Sequence, residues 1–182
     1  MYMPSRTLLE LETIDPKTGD LAVIVETPKG SRNKYKFDEK LELFRLSGVL
    51  PEGAVFPFEF GFLPSTKAAD GDPIDVIVLV DRPTSVGCLP TARLIGVIEA
   101  EQTEDGHTVR NDRLITVATH AHLFAEVQSL TDMSEKTVGE IEHFFLSYNE
   151  MRGTDFKPFG RFGPERAMKL VDEARRAFQK QQ

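Results

Sequence analysis

The sequence predicts an α+β protein in which a β-barrel is laid down first and helices are packed onto it afterwards. The first two-thirds reads in short apolar or alternating runs separated by turn residues, whereas the last third places its apolar residues at helical spacing. No repeat, low-complexity tract or linker separates the two parts, so one domain over residues 1–182 is expected. A chain of 182 residues, 40% hydrophobic and 28% charged, has the composition of an ordinary globule and can bury a substantial core.

Residues 21–26 form a short apolar run that stops at Thr27-Pro28-Lys29-Gly30. After Ser31-Arg32-Asn33, residues 34–38 alternate strictly, as a half-buried strand does, and residues 41–46 alternate again with Leu41, Leu43 and Arg45 on one face. Further strands are expected at 75–80, 93–100 and 113–119. From Ser134, a suitable N-cap, apolar residues fall at Val138, Ile141, Phe144, Phe145, Tyr148 and Met151, and Gly153 is a natural stop. A second helix opens at Gly163-Pro164-Glu165 with Ala167, Leu170, Val171, Ala174 and Phe178 on its apolar face. Between the helices, residues 152–163 interleave basic and aromatic side chains in a Gly-rich setting. A phosphate-facing loop and a packed connector are equally open readings.

A formal net charge of −7 argues against a nucleic-acid partner, since nothing neutralises a phosphate backbone broadly, yet it leaves room for a local cationic pocket. No run is long enough to span a bilayer, and residues 1–12 lack the basic-then-apolar order of a secretory signal, so the cytoplasm is expected. The lone cysteine, Cys88, excludes an intrachain disulfide and is expected to be a buried small hydrophobe. His107, His120, His122 and His143 do not assemble a convincing ligand set.

The most informative segment is Asp70-Gly71-Asp72-Pro73-Ile74-Asp75, which runs straight into Val76-Ile77-Val78-Leu79-Val80. On an extended backbone Asp70 and Asp72 project the same way, and Asp75 follows the Pro73 bend. Three carboxylates this close are unfavourable unless something cationic lies among them. A small hard cation, Mg²⁺ above all, suits oxygen donors best. An EF-hand is excluded, because its glycine position is Asp75 and the second half of the loop is an apolar strand. A plain polar turn remains the competing reading of the six residues alone.

Asp70-Gly71-Asp72-Pro73-Ile74-Asp75-Val76 resembles the signature of the family I soluble inorganic pyrophosphatases. The other landmarks stand in that family's order. They are Ile24-Val25-Glu26-Thr27-Pro28, Lys34-Tyr35, Arg45, Phe56-Pro57-Phe58-Glu59-Phe60-Gly61-Phe62, Gly96-Val97-Ile98 before a polar loop, and Glu142-His143-Phe144-Phe145 with Tyr148. The resemblance spans roughly residues 21–148 and implies an OB-like five-stranded barrel with flanking C-terminal helices. It also implies Mg²⁺ dependence and hydrolysis of pyrophosphate to two phosphates. Carried over by position, it implies that Asp70 and Asp75 ligate metal, that Asp72 is the general base and that Glu26 acts through metal-bound water. Lys34, Arg45 and Tyr148 would hold phosphate, and a homo-oligomer, a hexamer by resemblance, is expected.

Several positions depart from the family's pattern. Phe56 and Phe60 lack the hydroxyls of the family's tyrosines, Lys36 stands where an acid is usual, and Asn149 replaces a lysine. In the polar loop Arg113 corresponds to a lysine and would join Lys34, Arg45 and Tyr148 in holding phosphate. Strict spacing then assigns the shared metal position to Asn111, but a carboxylate is the better bridging ligand, so Asp112 is favoured and Asn111 stays open. Of the candidates Glu104 and Asp105 for the other loop acid, Asp105 is favoured. These changes keep two alternatives alive: hydrolysis of another phosphoanhydride, and a catalytically silent barrel that only binds phosphate.

Overall fold

The computed structural model describes residues 7–180; the first residues of the region read for a secretory signal lie outside this range. The strands are β1 (Leu21–Ala22), β2 (Ile24–Thr27), β3 (Asn33–Asp38), β4 (Leu43–Val49), β5 (Glu59–Phe62), β6 (Asp75–Leu79), β7 (Thr91–Glu104), β8 (His107–Arg110) and β9 (Arg113–Ala118). Helix α1 (Glu135–Met151), strand β10 (Asp155–Phe162) and helix α2 (Pro164–Gln179) complete the chain. The main sheet runs β1-β7-β9-β6-β5-β2, with β8 and β10 also paired to β7, and β3 and β4 form a separate hairpin. This is the expected α+β, OB-like architecture. Its sheet is larger than the five strands expected, because β1, β8 and β10 all add to the long strand β7.

Strands β2, β5 and β9 are buried throughout, although Glu26, Thr27, Glu59, Arg113 and Thr116 stand among their apolar residues. In β6 and β9, a parallel pair, all residues but Asp75 are buried, and they form the centre of the core with Ile95, Val97 and Ile98 of β7. Residues 21–26 do not make one strand, because the Val23 N–H leaves the ladder to donate to the Pro90 carbonyl at 3.0 Å. Gly61, in β5, lies where a Cβ would meet the Ile24 carbonyl oxygen at 2.1 Å, so only glycine lets β5 pair closely with β2. Gly96 is a second close approach, with the Phe162 carbonyl oxygen 2.5 Å from the position of a Cβ. It marks a register shift in β7 that lets β10 and β9 share that strand.

Residues 155–162, expected as a loop, are a strand. Their exposed-buried rhythm was hidden by Pro158 and Gly160, which the ladder accommodates at a bulge. Ser134 caps α1 by accepting from the Thr137 N–H, and α1 buries Val138, Ile141, Phe145 and Tyr148. Helix α2 starts with Pro164 in its first turn and buries Ala167, Val171 and Ala174. It is tied to the barrel by Glu99, a buried β7 carboxylate held by Arg110 at 2.5 Å and Arg166 at 2.6 Å. Cys88 is exposed rather than buried, in the loop just after the left-handed Gly87 (φ 80°). Among the described residues no helix is long and apolar enough to cross a membrane.

Candidate active site

A cavity of about 340 Å³ opens between the β3–β4 hairpin, the loop before β6, the start of β9 and the end of α1. Glu26, Lys34, Asp70, Asp72, Asp75, Arg113 and Tyr148 all line it, so seven of the ten residues singled out by sequence converge on one place. The loop carrying Asp70 and Asp72 is folded by its own hydrogen bonds. The Asp72 N–H donates to the Asp70 carboxylate at 3.1 Å, the Ala68 N–H to the Asp72 carbonyl at 2.8 Å, and Gly71 takes φ 94° at the tip. Asp75 then opens β6.

Three acids of the cavity already hold side-chain cations. Glu26 lies 3.7 Å from Lys34, Asp72 2.8 Å from Lys36, and Asp75 2.5 Å from Arg113. Burial raises the Glu26 carboxyl above its usual range, although Lys34 and the Phe37 N–H, 2.7 Å away, pull it back. The Lys34 ammonium is pushed down to about 8, first by burial, with the Glu26 charge opposing. Lys36 is raised overall, because the hydrogen bond and charge of Asp72 outweigh its own partial burial. Burial likewise raises the Tyr148 phenol.

Asp70 is different. It has no ion pair among the described residues, and its carboxyl is pushed up to about 6 by enclosure in the cavity and then by the charge of Asp75. A carboxylate crowded by two others, with no side-chain cation of its own, is the condition that a bound divalent ion relieves. Among the described residues no three carboxylate, histidine or cysteine side chains stand together as a metal cluster, because Asp72 and Asp75 turn to Lys36 and Arg113; a hard cation at Asp70 would draw Asp75 to it by releasing Arg113. Beside Arg113 the wall carries two amides: Asn111 Nδ2 donates to Gln102 Oε1 at 2.8 Å, and Asn111 Oδ1 accepts from Arg113.

Three sequence assignments change. Asp112 does not face the cavity. Alternation along the chain puts Asn111 and Arg113 on the cavity side, while the Asp112 carboxylate accepts from the Ala100 N–H at 3.0 Å and from Arg110 Nε at 2.6 Å. It borders a second cavity beside α2 instead. Asp105 is the first residue of a two-residue turn with Gly106 (φ 49° and 79°) that joins β7 to β8, and it stays exposed; Glu104 reaches the cavity rim. Arg45 stands opposite Lys36 across the β3–β4 hairpin, but its guanidinium pairs with Asp38 at 3.1 Å and does not line the cavity. Sequence reasoning missed Gln102 and did not assign Arg152 a role, although both line the cavity. The Asp105-Gly106 pair was the available signal for the turn, and counting back from it along β7 places Gln102 on the same face as Glu104.

The fold and this lining define a class: an OB-like barrel whose cavity has carboxylates for a hard cation beside arginine and lysine for a phosphate-like anion. Comparison with known proteins narrows it. A family model described as inorganic pyrophosphatase matches residues 23–179. The inorganic pyrophosphatase of Nostoc sp. is 36% identical over 163 residues, covering 90% of this chain and 94% of that protein. The one from Synechocystis sp. is 35% identical over 158 residues, covering 87% and 91%. The crystal structure of inorganic pyrophosphatase from Thermus thermophilus superposes with a TM-score of 0.86 at 29% identity, covering 96% of this chain and 99% of that one. The chain belongs to the inorganic pyrophosphatase family, a family that implies a divalent metal cofactor.

Proposed function

We propose that this protein hydrolyses inorganic pyrophosphate to two orthophosphates with Mg²⁺ held by Asp70 and Asp75. It would act in the cytoplasm and, by family resemblance, as a homo-oligomer. The observation that carries this reading is the meeting of three carboxylates with Lys34, Arg113 and Tyr148 around one cavity in a chain of this family. A hard divalent cation there supplies positive charge that acidifies water and offsets the charge of the phosphate oxygens.

The side chains supply the rest. Lys34 and Arg113 countercharge the phosphoryl groups, and the Tyr148 hydroxyl offers a hydrogen bond to one of them. Asp72 accepts the proton of the attacking water as its oxygen bonds to one phosphorus and the bridging P–O bond breaks, releasing the second phosphate. Lys36, 2.8 Å from Asp72, fixes that carboxylate in place. Glu26 takes a supporting role: it accepts from the Phe37 N–H and orients Lys34.

The test is orthophosphate release from pyrophosphate with Mg²⁺ and with EDTA. Release in Mg²⁺ and none in EDTA is expected; a folded protein silent in both rejects the reading. One observation favours a second reading, a family member that binds without turnover: Glu26, Asp72 and Asp75 each already hold a side-chain cation. Saturable pyrophosphate binding without release identifies it.

A further inference from the structure

Arg152 ends α1 as its C-cap, but its side chain takes no part in closing the helix. The guanidinium lies over the Tyr148 ring, 5.4 Å from the centroid, and Nη1 donates to the Tyr148 hydroxyl at 3.1 Å. One residue after Tyr148, Asn149 is 1% exposed and its Nδ2 donates to the Phe145 carbonyl at 2.8 Å. The amide is thus committed to the helix backbone and brings no charge to the cavity.

Four cations line the cavity: Lys34, Lys36, Arg113 and Arg152. Lys34, Lys36 and Arg113 each hold a carboxylate. Arg152 holds none among the described residues; its polar partner is Tyr148. An anion that meets Arg152 therefore displaces no ion pair, whereas one that meets the others competes with Glu26, Asp72 or Asp75.

Three of the cations are seated on one aromatic block. Lys34 lies 3.7 Å above Phe60, Arg113 5.2 Å above Phe145, and Arg152 above Tyr148. The rings touch in turn, Tyr148 to Phe56 at 5.4 Å, Phe56 to Phe60 at 6.4 Å and Phe60 to Phe145 at 6.0 Å. The faces of these rings steady cations that otherwise repel one another, a grouping that becomes favourable when an anion enters.

We propose that Arg152 is a substrate-binding residue that grips a phosphoryl group beside Tyr148 with its planar guanidinium fork. This rests on the phosphate-binding part of the proposed function and not on turnover. It gives this chain a cation that its Asn149 does not provide.

Calorimetric titration of the Mg²⁺-loaded protein with inorganic phosphate tests it without catalysis. Arg152→Ala is expected to bind phosphate at least tenfold more weakly than wild type, and Arg152→Lys to recover part of the loss. Mn²⁺ affinity should stay within twofold, because Arg152 touches none of the three aspartates. With pyrophosphate, KM should rise by a similar factor and kcat change less. Phosphate affinity unchanged in Arg152→Ala, or no phosphate binding by wild type, overturns the proposal. If wild type binds phosphate, Arg152→Ala loses it and neither hydrolyses pyrophosphate, the proposal stands and the hydrolytic reading falls.

Discussion

Single side chains decide which half of the cavity does what. Asp70 is crowded by Asp75 and Asp72 and has no ion pair among the described residues, so it is the carboxylate with most to gain from a divalent ion. Asp70→Asn is expected to weaken Mn²⁺ binding at least tenfold, a loss of about 1.4 kcal/mol or more. Asp112→Asn makes the contrast. Its carboxylate serves Arg110 and the Ala100 N–H, so metal affinity should not change, while denaturant unfolding should report about 1–3 kcal/mol of lost stability. Equal effects of both substitutions on Mn²⁺ would contradict the assignment of faces. Lys34 adds a pH dependence of known sign: its ammonium is pushed down to about 8, so its charge is lost as pH rises through that value. KM for pyrophosphate should climb above pH 8 in wild type. In Lys34→Met it should be high throughout, with no break near 8.

At the scale of elements, the sequence was most legible where pattern and packing agree. The runs at 75–80, 93–100 and 113–119 became β6, the centre of β7 and β9, and both helices begin where their capping residues stand. It was least legible where one residue's geometry sets the outcome. Proline and glycine conceal β10, and the segment that reads as a polar metal-binding loop holds a two-residue turn at Asp105-Gly106 between two strands. Asp105→Asn suits the same left-handed turn geometry, so pyrophosphate kinetics and melting temperature should stay near wild type. Gly61 is the opposite case. In Gly61→Ala the new methyl group meets the Ile24 carbonyl, so β5 and β2 must part, and chemical denaturation should show a loss of about 2 kcal/mol or more.

Across the whole molecule, the barrel brings together residues from Glu26 to Arg152, and this is what no linear motif could show. The aspartate segment announced its three members through local spacing alone. The cationic half depends on which way β3, β9 and α1 turn their faces, and Arg45 stands outside it because its guanidinium turns to Asp38, although it sits opposite Lys36 in the hairpin. The account's central claim is that one cavity joins a divalent-ion site to a phosphate site and uses both to cleave a P–O–P bridge. The most direct measurement is the steady-state rate of orthophosphate release from pyrophosphate in Mg²⁺, for wild type and for the double substitution of Asp70 and Asp75 by asparagine. Turnover by wild type and a fall of at least about a hundredfold in the variant are predicted. A variant as fast as wild type would contradict the account.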